Sequence, residues 1–228
     1  QLEAIFDKTA EKLEKFGPRD LATTALAFAK IANAVGDMKE RHHRGSYAEL
    51  LNNVLVDKRE IIFQFIADTS IPNFAKFDAR YLANLAYAYA LIGYVPKFDD
   101  GLTLFDHVAE RSIPLLGKFN SQGLSNTVWA FEKAGASHPI LFEKIANLIV
   151  GLKQLDDFDP QSFSNILIAY AKAEVSHPAL FEKVADHIVA LDHLGEFNRQ
   201  NLANTVWSFE KAGVSHPRLF EKIAGHVV

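Results

Sequence analysis

Cysteine is absent from this 228-residue chain, and methionine occurs once, at Met38. The first absence excludes disulfides, cysteine-rich zinc sites and a cysteine nucleophile together. Long apolar runs are missing as well. No uncharged stretch approaches the ~18 residues of a spanning helix, so no membrane span is expected. Glycine and proline are sparse, 12 and 8 residues, which excludes collagenous and low-complexity chains. Positive charge is not in surplus: 24 basic against 28 acidic residues leave a formal net charge of -4. A protein that coats nucleic acid by bulk charge is thereby excluded, and any nucleic-acid contact has to be a local face. There is no Gly-rich phosphate loop, no HExxH and no nucleophile motif. The expectation is a protein that is not an enzyme, with no catalytic residues, no metal, no cofactor and no small-molecule substrate.

What is there suffices for a packed core, since 49% of the residues are hydrophobic and 23% charged, far from a disordered composition. The chain begins at Gln1 and stops inside the apolar-periodic segment EKIAGHVV, and it reads as a piece of a longer protein.

An internal repeat dominates, and it decides the fold class. FNSQGLSNTVWAFEKAGASHPILFEKIANLIV begins at Phe119 and FNRQNLANTVWSFEKAGVSHPRLFEKIAGHVV at Phe197; they agree at 23 of 32 positions. A third copy starts midway, at Phe158, so the period is 39. A looser copy, FDARYLANLAYAYALIG, starts at Phe77, slightly more than one period before Phe119. A fifth, FGPRDLATTALAFAKIA, starts at Phe16, well over one period before Phe77. That first copy carries an insertion holding MKERHHRG and the apolar segment YAELLNNVLV.

Each copy reads as two helices. Asn120 and its equivalents Gly17, Asp78, Asp159 and Asn198 suit a helix N-cap. Pro18 and Pro160 follow at the favoured first position. Phe119 and Leu124 sit where a hydrophobic staple joins cap and first turn. Gly93, Gly135 and Gly213 suit a left-handed C-cap, with Glu174 breaking the rule in its copy. The second helix opens at Ser-His-Pro, with Pro139, Pro178 and Pro217 at or near its first position. Leu141, Ile145, Leu148 and Leu152 form its apolar stripe. A lone helix pair cannot bury such stripes, whereas stacked pairs can. The expected fold is therefore all-α: one α-solenoid over residues 1–228 with about five repeats, 14–74 (expanded), 75–117, 118–156, 157–195 and 196–228 (truncated). The first helix of every repeat is expected on the concave side, and no strand is assigned.

The first helix has two unlike faces. Advancing 100° per residue, Leu124, Val128 and Phe131 fall on one arc, the core. Gln122, Asn126, Trp129 and Lys133 gather on the opposite side. Small residues, Gly123 and Ala130, lie between them, where a neighbouring helix can approach. The same stripe recurs as Gln161, Asn165, Ile168, Lys172 and as Gln200, Asn204, Trp207, Lys211. Earlier it is Arg80, Asn84, Tyr87, Leu91, and before that Arg19, Thr23, Leu26, Lys30. Amides bond base edges, aromatic rings stack on bases and lysines meet phosphate, so the stripe is a candidate face for single-stranded RNA. The structural alternatives stay open: an Asn ladder that bonds the adjacent repeat, Trp residues that pack between repeats, and lysines on a solvated face.

His138, His177 and His216 recur at the start of the second helices, one period apart, which places them in successive repeats and not around one metal. A capping or packing role is expected. His42 and His43, in the charged insertion, and the LFEK runs (Glu143, Lys144 and their copies) read as solvated.

The run LSNTVWAFEKAG, followed by SHPILFEKIA, resembles the octotricopeptide-type repeats of organelle RNA-binding proteins, arrays that often precede a RAP domain. The motif F-x-x-Q-x-L-x-N-x-x-W-A matches at Phe119, Gln122, Leu124, Asn126, Trp129 and Ala130. The resemblance implies an RNA-binding solenoid of a chloroplast or mitochondrion, acting in RNA stability, processing or translation. The rival reading is an armadillo-like scaffold that binds a protein partner, or a structural subunit of a larger ribonucleoprotein assembly.

Overall fold

A computed structural model describes residues 12–41, 60–136 and 138–227. The chain forms two compact units, Gln1–Ser112 and Ile113–Val228. In the first, α1 (Pro18–Arg41), a helix over residues 60–70 (α2), α3 (Ala79–Ile92) and α4 (Leu104–Ser112) follow one another. In the second come α5 (Ser121–Lys133), α6 (Pro139–Gly151), α7 (Pro160–Lys172), α8 (Pro178–Ala190), α9 (Arg199–Lys211) and α10 (Pro217–Val227). Short 3-10 turns at Leu13–Lys15, Ile71–Lys76 and Ile113–Lys118 lead into first helices. Among the described residues there is no strand, only a single bridge between Lys97 and Thr103. The protein is an all-α solenoid of helix pairs.

The helix boundaries follow from local chemistry. The side chains of Asp78, Asn120, Asp159 and Asn198 accept from the backbone N–H three residues on, the orphan donors of each first turn. The Phe158 ring stacks on Phe163 at 5.7 Å, a hydrophobic staple across the cap of α7. At the far end Gly93, Gly135 and Gly213 take φ of 65°, 65° and 67°, and Glu174 is held at φ 54° in the same place. α1 is longer than its counterparts. It runs 24 residues and takes in Met38–Arg41, which the sequence reading put in the insertion. No glycine stop closes it after Lys30, and Gly36 alone inside a helix is tolerated. Residues 42–59, with His42, His43 and the YAELLNNVLV segment, lie outside the described residues.

Packing is sequential. In the C-terminal unit α5, α7 and α9 lie side by side, in closer contact than α6, α8 and α10. The first helices therefore form the tighter layer of that unit. Their core arc is as expected, with Leu124, Val128 and Phe131 buried. The stripe of α6 is rotated from its expected position: Leu141 and Ile145 are buried, but Phe142, Ala146 and Ile149 complete the buried face, and Leu148 and Leu152 are only half-buried. The reason is the Phe, whose ring reaches the next repeat. Phe142 meets Tyr170 at 5.1 Å and Phe181 meets Phe209 at 5.1 Å, both edge-on. The N-terminal unit repeats the contact with Phe63 and Tyr89, again at 5.1 Å. Each such pair adds to the area both rings bury. Where the partner is Tyr, its hydroxyl donates to the Phe carbonyl: Tyr89 to Phe63 at 2.5 Å and Tyr170 to Phe142 at 2.6 Å. Burial pushes both phenols well above their ordinary range. Within the LFEK runs Lys222 departs from the solvated expectation. Its ammonium donates to the Val189 carbonyl at 2.8 Å and to that of Leu191, neutralising the C-terminal end of α8.

Two stability outcomes follow. Phe142→Ala should cost about 3–5 kcal/mol, and Tyr170→Phe only about 1 kcal/mol, as read from urea midpoints. The second is small because Phe209 fills the equivalent place with no hydroxyl. Burial also holds the His187 imidazole below its ordinary value, against the pull of Asp156 3.9 Å away, with Lys183 adding to the depression. The unfolded chain then takes up this proton first, so the contribution opposes folding as pH falls below about 6.5. The urea midpoint of His187→Leu should change less between pH 7.5 and pH 5.5 than that of the parent chain.

Candidate recognition face

The first helices of the C-terminal unit each present four sides, and the sequence sets which is which. The core side carries Leu124, Phe163 and Leu202. On α7 two flanks meet the neighbouring first helices, α5 and α9. The fourth side is the stripe of amides, rings and lysines. Its end members Gln122, Lys133, Gln161, Lys172, Gln200 and Lys211 are exposed. Asn126, Asn165 and Asn204 in the middle are half-buried, as are Trp129 and Ile168. Trp207, on the last first helix, is 41% exposed. In the N-terminal unit Arg19, Thr23, Lys30 and Arg80 are exposed, while Leu26, Asn84, Tyr87 and Leu91 are half-buried. Half-burial pushes the Tyr87 phenol up.

Hydrogen bonding turns much of this stripe inward. Gln161 Nε2 donates to Asn165 Oδ1 at 2.8 Å, and Gln200 Nε2 to Asn204 Oδ1 at 2.6 Å, pairs one helical turn apart. Asn204 Nδ2 then donates to Ser164 Oγ at 3.1 Å in the preceding repeat. Beside it Asn201 Nδ2 reaches Gln161 Oε1 at 3.3 Å. The amides of α7 and α9 thus form a ladder between repeats, one of the structural alternatives the sequence left open. Lysines follow the same plan. Lys172 lies 3.8 Å from Glu132, and Lys211 lies 3.3 Å from Glu174, each acid belonging to the preceding repeat. Such half-exposed pairs contribute about 0–1 kcal/mol, but they lower the positive potential that a phosphate would meet. Among the described residues, Gln122, Asn126 and Lys133 have no such side-chain partner.

The seam was less visible in the sequence than the stripe. Small polar side chains carry it: Ser125 Oγ donates to Ser162 Oγ at 3.3 Å, and Ser121 Oγ to the Asp157 carbonyl at 2.6 Å. Of these serines only Ser125 recurs one period on, as Ser164, and that was the available signal. The three histidines cap as expected. His138, His177 and His216 accept through Nδ1 from the N–H of Leu141, Leu180 and Leu219, each at 3.2 Å. Their outer nitrogens do more than the spacing told. Nε2 of His177 meets Asn147 Oδ1 at 3.2 Å, and that of His216 meets Asp186 Oδ1 at 3.3 Å, tying each second helix to the one before. Among the described residues no three His, Asp or Glu side chains gather so as to hold a metal ion, and no helix is long and apolar enough to cross a membrane.

The ladder has a measurable weight. Asn204→Ala removes the bond to Ser164 and the acceptor of Gln200, and should lower stability by about 1 kcal/mol. Gln122→Ala, at an exposed position with no partner, should stay within about 0.5 kcal/mol of the parent in the same urea titration.

The geometry is that of a repeat stack, and its motifs discriminate poorly between families. Caps, core Leu, seam Asn and inter-repeat aromatic are what any such stack of helix pairs requires. The family model that matches is RESC6, RNA-editing substrate-binding complex 6 protein, over residues 51–228, more than three quarters of the chain. No curated protein matches the chain. The match corrects the resemblance to octotricopeptide-type, RAP-associated proteins, and the chloroplast setting that came with that resemblance falls with it. The chain belongs to the RESC6 family of RNA-editing substrate-binding complex proteins.

Proposed function

We propose that the chain is a non-catalytic scaffold subunit of a ribonucleoprotein assembly that holds RNA-editing substrates, working in a mitochondrion. The family's name supports the assembly, and its setting in the trypanosome kinetoplast supports the organelle. The observation that carries the scaffold role is that the stripe on α7 and α9 is satisfied within the stack. Lys172 and Lys211 are paired with Glu132 and Glu174, and the amides of α7 and α9 are bonded to one another. A face whose cations and amides are engaged on α7 and α9 is suited there to hold its neighbours in register more than to neutralise a phosphate backbone. The -4 net charge points the same way. On this reading the tighter layer of first helices in the C-terminal unit is a rigid platform for protein neighbours, and RNA is held mainly by the assembly as a whole.

A second reading keeps direct RNA contact on the stripe. Trp207 favours it, being 41% exposed beside the exposed Gln200. Filter binding of single-stranded RNA to the isolated chain at two salt concentrations separates the two. The scaffold reading expects weak binding that Lys30→Glu, Lys133→Glu, Lys172→Glu and Lys211→Glu, combined, change by no more than about twofold. A loss of tenfold or more, with a salt slope near -0.7 for each phosphate released, would put RNA first. In that case Trp207→Ala should also cost about 1–3 kcal/mol of RNA affinity at unchanged melting temperature.

A further inference from the structure

Between its first and second helices each repeat of the C-terminal unit makes a turn, and two clefts open at these turns. One lies between the repeats of α5 and α7, the other between those of α7 and α9. The first, of about 160 Å³, has Phe131 and Phe142 at its floor and Val175 of the next turn on its wall. The second, of about 220 Å³, has Tyr170 and Phe181 at its floor and Val214 on its wall. Every lining residue of the first has a counterpart one period on in the second. All four rings are buried. At each mouth a carboxylate of one repeat faces a lysine of the next: Glu132 and Lys172 at 3.8 Å, Glu174 and Lys211 at 3.3 Å.

The two carboxylates do not come from equivalent positions. In the repeat of α5 the acid is Glu132, in the last turn of the helix, and the turn that follows has Gly135. In the repeat of α7 the helix position is Ala171, and the acid stands on the turn as Glu174. Among the described residues Glu174 is the one non-glycine residue with a positive φ, 54°. A left-handed residue that bears a side chain costs more than an exposed ion pair returns, so the fold alone does not account for it. Each cleft keeps one anion and one cation at its mouth, by different routes, and the strain marks the second as a feature held for use.

We propose that the two clefts together hold an extended segment of a partner protein, in polyproline II geometry, with one apolar side chain of about leucine size in each. The inference rests on the scaffold reading and names the partner's chemistry. Size decides what enters. An apolar cavity of about 150 Å³ takes a benzene-sized group, and small-molecule pockets begin at about 300 Å³. Each cleft therefore takes a single side chain and not a nucleotide. Charge decides what flanks it. With a carboxylate and an ammonium side by side, the mouth repels a phosphate through the one and a partner's cation through the other. A peptide backbone suits it, because an N–H donates to the carboxylate while a neighbouring C=O accepts from the lysine. Spacing decides the conformation. Packed helices stand about 8–10 Å apart. Three residues of polyproline II advance about 9 Å and return to the same side, whereas two residues of a β-strand advance only about 6.6 Å. The occupant thus carries its apolar side chains at i and i+3.

Titration of the whole chain into the fluorescein-labelled, amide-capped peptide Pro-Pro-Leu-Pro-Pro-Leu-Pro-Pro, read by anisotropy, tests it. The prolines preset the geometry, so little ordering opposes binding. The expected result is saturable binding that weakens about tenfold or more when Ala173→Trp fills the first cleft or Ala212→Trp the second, since one segment spans both. Both alanines are exposed, so helicity and melting temperature should not change. A peptide with its leucines two residues apart should bind about tenfold less tightly. Glu174→Gly should weaken binding about threefold at an unchanged melting temperature, because it removes one mouth group while relieving the left-handed strain. Absence of saturable binding, or binding indifferent to both tryptophans or to the leucine spacing, would overturn the proposal. So would a single-stranded oligouridine whose affinity falls with Ala173→Trp and Ala212→Trp, since the clefts would then be RNA sites. The scaffold reading is judged apart, by the RNA titration of the combined lysine variant, and it survives a peptide that fails to bind.

Discussion

The contact on which the rest depends is the edge-on meeting of a second-helix Phe with the first-helix aromatic of the next repeat. Phe142 on Tyr170 and Phe181 on Phe209 share one spacing, 5.1 Å, and Phe63 on Tyr89 shares it in the other compact unit. A 13-residue helix such as α5 or α6 cannot cover both its own apolar side and its partner's. Stability has to come from the neighbour, and the aromatic pair, buried on both sides, is one place where it does. Once the rings are seated, the distance between first helices is set. The short side chains between them, Ser125, Ser162, Ser164 and Asn204, then come within hydrogen-bonding reach.

That spacing has a consequence for the outward face. Amides and lysines of successive first helices stand close enough to engage each other, so a stripe that looks like a reading surface on one helix is partly consumed as a ladder between helices. The pairs Lys172–Glu132 and Lys211–Glu174 extend the same logic to charge. The histidine caps do so on the other layer, each spending Nδ1 on its own helix and, in two cases, Nε2 on the preceding one. A stack so thoroughly cross-linked side to side is a stiff platform, which accords with membership of a family named for a multi-protein, RNA-holding complex.

Much of this was legible in the residues themselves. The regular repeat period, the Asn and Asp caps, the Gly stops and the Ser-His-Pro openings determine where helices begin and end, because those are local backbone effects acting within a single helical turn. The core arc of Leu124, Val128 and Phe131 and the accessibility of the stripe also follow from helical periodicity alone. Two things were decided only by tertiary structure. One is the rotation of the α6 stripe toward Phe142, which depends on a ring in the next repeat. The other is the fate of the stripe's amides and lysines. Their partners lie a whole repeat away in the chain, at distances that only the packed aromatic seam brings within reach. A periodic pattern specifies which side of a helix faces out, whereas whether an outward group is free or already bonded depends on the spacing between helices, and that is a property of the assembled stack.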